Sequence, residues 1–512
     1  MKKSAVFALL LSFVMIFSAC GDATGPAAST NEDGERVLNL SILAPLTTID
    51  PHESNNIQDI MVFYQVFEPL YKQNEATGEY MPRISDSYSI SDDGTVYTFN
   101  IRDGVKFHNG DTLKASDVEF SYKRAMDSPK VRSYMAGIVD VEATNDSTVV
   151  VTLDQPNAAL MTNLSYIFII SEREAAEQGD LFGTQLTLAG TGPYYLTHLV
   201  HDVEWTVKAC PNYYLGEASI KEIYYVPITD ASAGLITFES GSLDWYIAPI
   251  ADWDGLVANS KHNTELVAAN HISYVVLNHL NAPLDNDNLR RAIAYAIDKE
   301  AMNMACFNGL AVNADFMVRG TNTGAPTNGI VYNYDPDKAR ELLAEAGIAE
   351  GTNIGTINCS AGGYFEKMAQ VLQDNLAAVG LVTDIQRLDS ATNLEMARRY
   401  QFDLLTTGFA ANGDFDSWKM YTHTDFVGTF YNKYDEGDKF DWEYMNSLWE
   451  AGVATADVKE RVEIYTELND WIADTATQIP IFHRVLPYVW TTDLNVPVNY
   501  PNYPLIYEWS WK

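Results

Sequence analysis

A thiol set directly behind a processing signal is the first chemistry this chain offers. Lys2-Lys3, an apolar run Ala5–Phe17 and the small pair Ser18-Ala19 lead into Cys20. A basic head, an apolar core too short to be a comfortable membrane span and small residues at the cut site describe a secretory leader. Removal of residues 1–19 as a signal peptide leaves Cys20 at the new N-terminus, where its sulfur can carry lipid. The expectation is an exported lipoprotein, held to the outer face of the cell membrane (the periplasmic side if an outer membrane exists). Two acyl chains suffice for stable anchoring where one does not. Residues 20–36 are small, polar and pattern-free, and read as a tether with a reach of roughly 20 Å.

Elsewhere the reactive side chains form no catalytic pattern. There is no G-x-S-x-G elbow, no S-x-x-K tied to a K-T-G and no H-E-x-x-H. Cys210, Cys306 and Cys359 are widely spaced, so at most one internal disulfide can form, and no C-x-x-C suggests zinc or redox work. His198 and His201 make an isolated H-x-x-H in a loop and read as surface. Asp414 and Asp416 could imitate the carboxylate pair of a glycosidase, but they read better as ligand contacts or turn formers. No enzyme activity, metal or cofactor is expected.

The net charge of −36 has the wrong sign for binding nucleic acid and suits a solvated, exported surface. The 30 Tyr, 21 Phe and 10 Trp supply core and also good walls for a pocket, with an apolar face and a polar tip. The 512 residues are too many for one core, so two or three domains are expected.

The elements that must position these residues change character along the chain. Val37–Leu43 opens as a strand and Ile57–Leu70 has helical spacing. Asp93-Gly94 turns into the alternating strand Thr95–Ile101, and Ser116–Glu119 reads as a capping box that starts a helix. Val139–Ala143 and Thr148–Leu153 form a hairpin. Beyond about residue 283, helices alternate with strands: Leu289–Ile297, a second helix capped by Asp298, and one begun by Asp335-Pro336 and stopped by Gly347. Tyr364–Val379, Val382–Leu388, Leu394–Tyr400 and Phe402–Thr406 continue an α/β pattern. Helices Trp442–Gly452 and Val458–Ala473 follow, and Ile479–Trp490 reads as a strand returning to the first part. A chain that leaves one lobe, builds another and comes back crosses twice, which makes a hinge.

Several of these segments resemble the extracytoplasmic solute-binding proteins of peptide and nickel ABC importers, known as family 5. The segments are Ile49-Asp50-Pro51-His52, Phe67-Glu68-Pro69-Leu70, Ser91–Gly94 with Tyr97–Gly110, Ala115–Ser121 and Gly190-Thr191-Gly192-Pro193-Tyr194. Asn212-Tyr213-Tyr214, Leu289–Ile293 with Ala296–Lys299, Tyr334–Ala339 and Ile479-Pro480-Ile481 agree in order. The resemblance implies an α/β, two-lobed periplasmic-binding-protein-like fold (type II, in its large three-part variant) with an inter-lobe cleft and a two-strand hinge. Lobe I would hold residues 37–282 and 480–512, with an inserted β-rich subdomain at about 57–188; lobe II would hold 283–479. The implied function is capture of a solute, an oligopeptide first among candidates, and delivery to permease subunits by a monomer. An oligosaccharide, a nickel chelate, an exported hydrolase or a surface receptor without a permease are the alternatives.

In peptide-binding members an Asp of the second lobe pairs with the peptide α-amino group. Here the matching turn is Gly408–Trp418, and the anchor position falls on Asn412, or on Ala411 with one shift; neither is charged. Asp414 or Asp416 would have to replace it. The resemblance further places Glu53 and Asn55 at the cleft from lobe I, with Trp245 and Tyr246 before the crossing and Asn278 on it. Phe409 and Trp418 are candidate walls. His483 and Arg484 lie on the return strand, with Arg484 able to pair with a ligand carboxylate.

Overall fold

The computed structural model describes residues 29–75, 77–201, 203–426, 440–498 and 502–512. Its organising element is an 11-stranded sheet that runs through both lobes. From the lobe II edge the order is Leu381–Leu388, Thr352–Ser360, Leu404–Ala410, His262–Leu277, Gln478–Thr491, Trp245–Ile247, Leu38–Ile42, Glu222–Pro227, Glu204–Ala209 and Tyr194–Val200, with Val312–Asn313 paired onto the side. The α/β, two-lobed architecture is therefore as the resemblance implied.

Two long antiparallel strands, His262–Leu277 and Gln478–Thr491, carry the chain between lobes. Their register holds from His262↔Thr491 to Ala268↔Val485, breaks, and resumes at Ile272↔His483. Ala269, Asn270 and His271 thus stand against Arg484 alone. Extra residues on one strand of a pair bend it and raise its twist, so the break is where the sheet flexes. On one side of it lies the lobe I core, with Trp245, Val267, Tyr488 and Trp490. On the other, Val275, Leu277, Ile479 and Phe482 join the core beneath the lobe II helices. Along these strands the packing passes from one core to the other near Asn270.

The inserted subdomain is a four-stranded antiparallel sheet, Ser85–Ile90, Val96–Ile101, Thr148–Leu153 and Ile138–Asn145, covered by helix Ala115–Asp127. Its core runs from Leu70 to Ile169. Tyr97, Phe99 and Ile101 share its buried face, as the alternation predicted. Helix Ile57–Val66 belongs instead to the main lobe core, with eight of its ten residues buried. It stops before residue 70 because Pro69 biases Glu68 toward extended backbone, and Glu68 pairs with Ile169 across the gap.

The motifs that carried the family resemblance meet in space as scaffold. Glu68 accepts bonds from Tyr213 Oη (2.6 Å), Tyr214 Oη (3.0 Å) and Thr191 Oγ1 (3.3 Å). Burial still pushes its carboxyl up to about 7. A Cβ on Gly190 would lie 2.1 Å from the Val66 carbonyl oxygen, so only glycine lets this segment lie against the helix end. Asp50 ion-pairs with Arg124 of the subdomain helix, and buried His52 faces the Phe168 carbonyl oxygen at 2.9 Å.

At the N-terminal side, Cys20 and the leader lie outside the described residues. Thr30 already pairs with Arg36, whose guanidinium is held by Asp244 and Asp493 and lies 3.6 Å over the Trp511 ring. Asn31 Nδ2 also donates to Glu222 Oε2 (3.2 Å), so the described residues ahead of Arg36 already touch the lobe I sheet. Among the described residues no helix is long and apolar enough to cross a membrane.

Candidate functional site

A cavity of about 210 Å³ lies where the subdomain of lobe I meets lobe II. Its lobe I wall comes from Tyr134, Asp154, Gln155, Asn157 and Asn163; its lobe II wall comes from Asn412, Asp416, Ser417, Lys419, Tyr421 and Phe426. The lobe II residues follow strand Leu404–Ala410, which leaves the sheet beside the hinge and turns into the short helix Phe415–Tyr421. The lobe I residues flank helix Leu160–Leu164 and the turn at Gly137. The lobe II wall follows a strand that pairs with crossing strand His262–Leu277, and the lobe I wall comes from the subdomain with its own sheet.

The lobes touch directly around the cavity. Asn412 Nδ2 donates to Asn163 Oδ1 (2.9 Å), and Tyr166 Oη donates to the Asn412 carbonyl oxygen (3.3 Å). Ala158 N–H donates to the Val453 carbonyl oxygen (2.8 Å), and Gln155 Nε2 to Glu450 Oε2 (3.3 Å). Gly413 (φ +93°) abuts Gln73 so closely that a Cβ would sit 2.4 Å from Gln73 Oε1. This is the closed arrangement of the two lobes.

Two carboxylates in the turn have different surroundings. Asp414 is fully buried and bidentate with Arg461, at 2.7 and 2.8 Å, while Arg461 Nε donates to the Gly452 carbonyl oxygen at 2.9 Å. Asp416 lines the cavity, and its Oδ1 is buried with no hydrogen-bond partner among the described residues. Burial, and then the nearby negative charge of Asp414, push the Asp416 carboxyl up to about 6. Lys419, on the same wall, is held by Glu450 at 3.1 Å.

Deeper, beside the hinge, runs a second polar chain. Glu75 Oε2 accepts from Asn502 N (3.2 Å) and Nδ2 (2.6 Å). Asn502 Oδ1 accepts the Asn270 N–H (3.2 Å), and Arg319 donates to the Ala268 carbonyl oxygen (2.7 Å). Lys72 lies buried 3.2 Å over the Tyr64 ring, and burial drags its ammonium down to about 7. This chain satisfies backbone left unpaired where the strand register breaks.

Of the residues singled out in the sequence, only Asn412 and Asp416 line the cavity. Phe409 backs it, stacked 4.4 Å from Tyr421. His483 is buried at the hinge, where burial and the positive charges of Arg319 and Lys299 lower it to about 3, and Arg484 faces the bulge. Trp245 is 1% exposed and packs on Tyr488 and Trp509 in the lobe I core. Tyr246 packs on Phe238. Trp418 is buried with Nε1 donating to Gln478 Oε1 (2.8 Å). Asn278 Nδ2 donates to the Phe402 carbonyl oxygen (2.8 Å). Glu53 and Asn55 are exposed before helix Ile57–Val66. Tyr134, Asp154 and Asn163 carry no local signal, because their cleft position depends on packing across some 250 residues of chain. No group of three or more His, Cys, Asp or Glu suited to hold a metal occurs among the described residues.

Residues 79–429 match the bacterial extracellular solute-binding proteins, family 5 Middle. The chain belongs to this family. It is 27% identical over 468 residues to di/tripeptide-binding protein 1 of Pseudomonas aeruginosa, covering 82% of this chain and 84% of that one. It is 25% identical over 452 residues to heme-binding protein A of Haemophilus influenzae, covering 82% of each. In fold it is similar to the binding protein DppA of Helicobacter pylori, solved with the peptide STSA. That likeness has a TM-score of 0.77 and 22% identity, covering 93% of this chain and 98% of that one. The family 5 member described here is an extracytoplasmic solute-binding protein that works with an ABC importer; it is a binding protein and not an enzyme.

Proposed function

We propose that this family 5 protein is a monomeric lipoprotein, cleaved after residue 19 and anchored through Cys20. It captures a short peptide between its lobes and delivers it to the permease subunits of its importer. Asp416 takes the peptide α-amino group, replacing the charge absent at Asn412, while Asn412 and the facing Asn163 bond the peptide main chain. What supports this reading is Asp416 on the wall of the inter-lobe cavity, without an ion pair among the described residues, while Asp414 is held by Arg461. An ammonium there would make a charge-assisted bond to the carboxylate. Closure follows because a ligand that bonds both lobes stabilises the closed form over the open one.

Titration calorimetry of the intact protein with Ala-Ala-Ala and N-acetyl-Ala-Ala-Ala tests the anchor. The free amine should bind at least tenfold tighter, and Asp416→Asn should remove the difference. Equal affinity for both peptides would discard Asp416 as the anchor. Mass spectrometry of the solute that co-purifies tests the ligand class. Lipid labelling of the wild type but not of Cys20→Ser tests the anchor to the membrane.

A further inference from the structure

The cavity that would receive the peptide carries a second carboxylate. Asp154 follows strand Thr148–Leu153 on the lobe I side, exposed at the rim, while Asp416 faces it from lobe II. Gly137 (φ +84°) makes room for it: a Cβ there would lie 3.3 Å from Asp154 Oδ1. Among the described residues neither carboxylate has an ion-pair partner. The cation on these walls, Lys419, has a side chain 17% exposed and is directed to Glu450 at 3.1 Å. Tyr134 and Tyr421 add aromatic faces, which favour an adjacent cation through the ring quadrupole. The whole chain, at −36, attracts cations toward any cleft it opens.

We infer that the cleft selects a solute with two positive charges: a short peptide whose α-amino group meets Asp416 and whose basic side chain meets Asp154. This rests on the peptide reading above and adds the ligand's charge to it. A neutral or acidic peptide fills the same cavity but leaves Asp154 without a partner, or repels it. A ligand that carries one cation to each carboxylate bonds both lobes at once, which favours the closed form over the open one. A single carboxylate would reward only the amine.

The test titrates the intact protein with Lys-Ala-Ala, Ala-Ala-Ala, Glu-Ala-Ala and the diamine cadaverine. Lys-Ala-Ala should bind at least tenfold tighter than Ala-Ala-Ala, with Glu-Ala-Ala weakest. Asp154→Asn should shrink the Lys-to-Ala ratio below threefold, and Asp154→Lys should reverse the order in favour of Glu-Ala-Ala. A reversed preference cannot arise from misfolding, since a misfolded protein binds neither. Equal binding of the three peptides overturns the charge inference and leaves the peptide reading standing. Cadaverine binding without any peptide binding supports the charge inference and removes the peptide reading. Binding of no probe, or a Lys-to-Ala ratio unmoved by both Asp154 variants, overturns the charge inference.

Discussion

Asp414 and Asp416 sit two residues apart in one turn, yet they belong to different parts of the molecule. Asp414 is enclosed with Arg461, which also bonds the Gly452 carbonyl oxygen, so the turn is pinned to helices Trp442–Ala454 and Val458–Thr475. Asp416 lines the cavity, feels the charges of Lys419 and Arg461, and makes no ion pair among the described residues. The difference teaches how to separate scaffold from site when acidic residues cluster. A buried carboxylate with a permanent cation belongs to the fold, and one without an ion pair at a cavity wall is the member we propose for the ligand. The same division holds for the aromatics: Trp245 and Trp418 fill cores, whereas Tyr134 and Tyr421 face the cavity.

Breaking the scaffold member should have the largest effect. Asp414→Asn leaves the Arg461 charge buried without its partner, and loss of one member of a buried pair costs about 3–5 kcal/mol. Replacing both, as Asp414→Leu with Arg461→Met, should recover most of that, because apolar side chains of similar volume suit such a site. Urea denaturation of the two variants measures this. If Asp414→Asn is no less stable than wild type, the pair has been misjudged.

Next comes the contact that lets the two lobes meet. Gly413→Ala adds a methyl 2.4 Å from Gln73 Oε1 at a residue with φ +93°. The left-handed backbone alone costs an alanine about 1–2 kcal/mol, and the clash pushes the lobes apart. Small-angle scattering should show a larger radius for the variant, with peptide affinity reduced. Adding Gln73→Ala should restore the radius in part, since it removes the clash and leaves the backbone strain. A radius unchanged in Gly413→Ala would show that this contact does not set closure.

Asn412→Ala should do less. It removes the 2.9 Å bond to Asn163 between lobes, a net loss of about 1 kcal/mol for a neutral pair. Calorimetry should read this as a several-fold fall in peptide affinity with the unfolding midpoint nearly unmoved. A shift in stability without a shift in affinity would return Asn412 to the scaffold.

The sequence made the scaffold more legible than the site, and for a physical reason. Helix ends are local chemistry: Asp298 and Asp335 accept from Ala301 and Lys338 N–H as caps do, and Asn308-Gly309 and Gly347 take positive φ where those helices stop. Even the error at Ser116 is small: the helix starts at Ala115 because Asp117 accepts the Lys114 N–H. The bend near Asn270 has no such mark, because a register break depends on what the partner strand does 200 residues later. The cavity is harder still. Asn412 and Asp416 could be found from one turn, but the loop that faces them comes from the inserted subdomain, and nothing local tells a surface Asp154 from one at a cleft.

The smallest effect sharpens the comparison most, because its sign is opposite. Asp416 holds its proton up to about 6 in the folded chain against 3.8 as its ordinary value, through burial and then Asp414. A carboxyl with a raised folded pKa binds its proton better folded than unfolded. The native state therefore gains as pH falls from about 6 toward 4 and is penalised above 6. Removing the charge by Asp416→Asn should then stabilise the ligand-free protein at pH 7–8. A fully enclosed group shifted this far would give roughly 3 kcal/mol, and an open cavity reduces that to about 1 kcal/mol. Denaturation from pH 4 to 8 should show the gain disappear at the acid end, and a cationic peptide at saturation should reverse it at pH 7 by supplying the missing partner to wild type alone. A stability difference independent of pH would place Asp416 with Asp414 among the residues that only hold the fold.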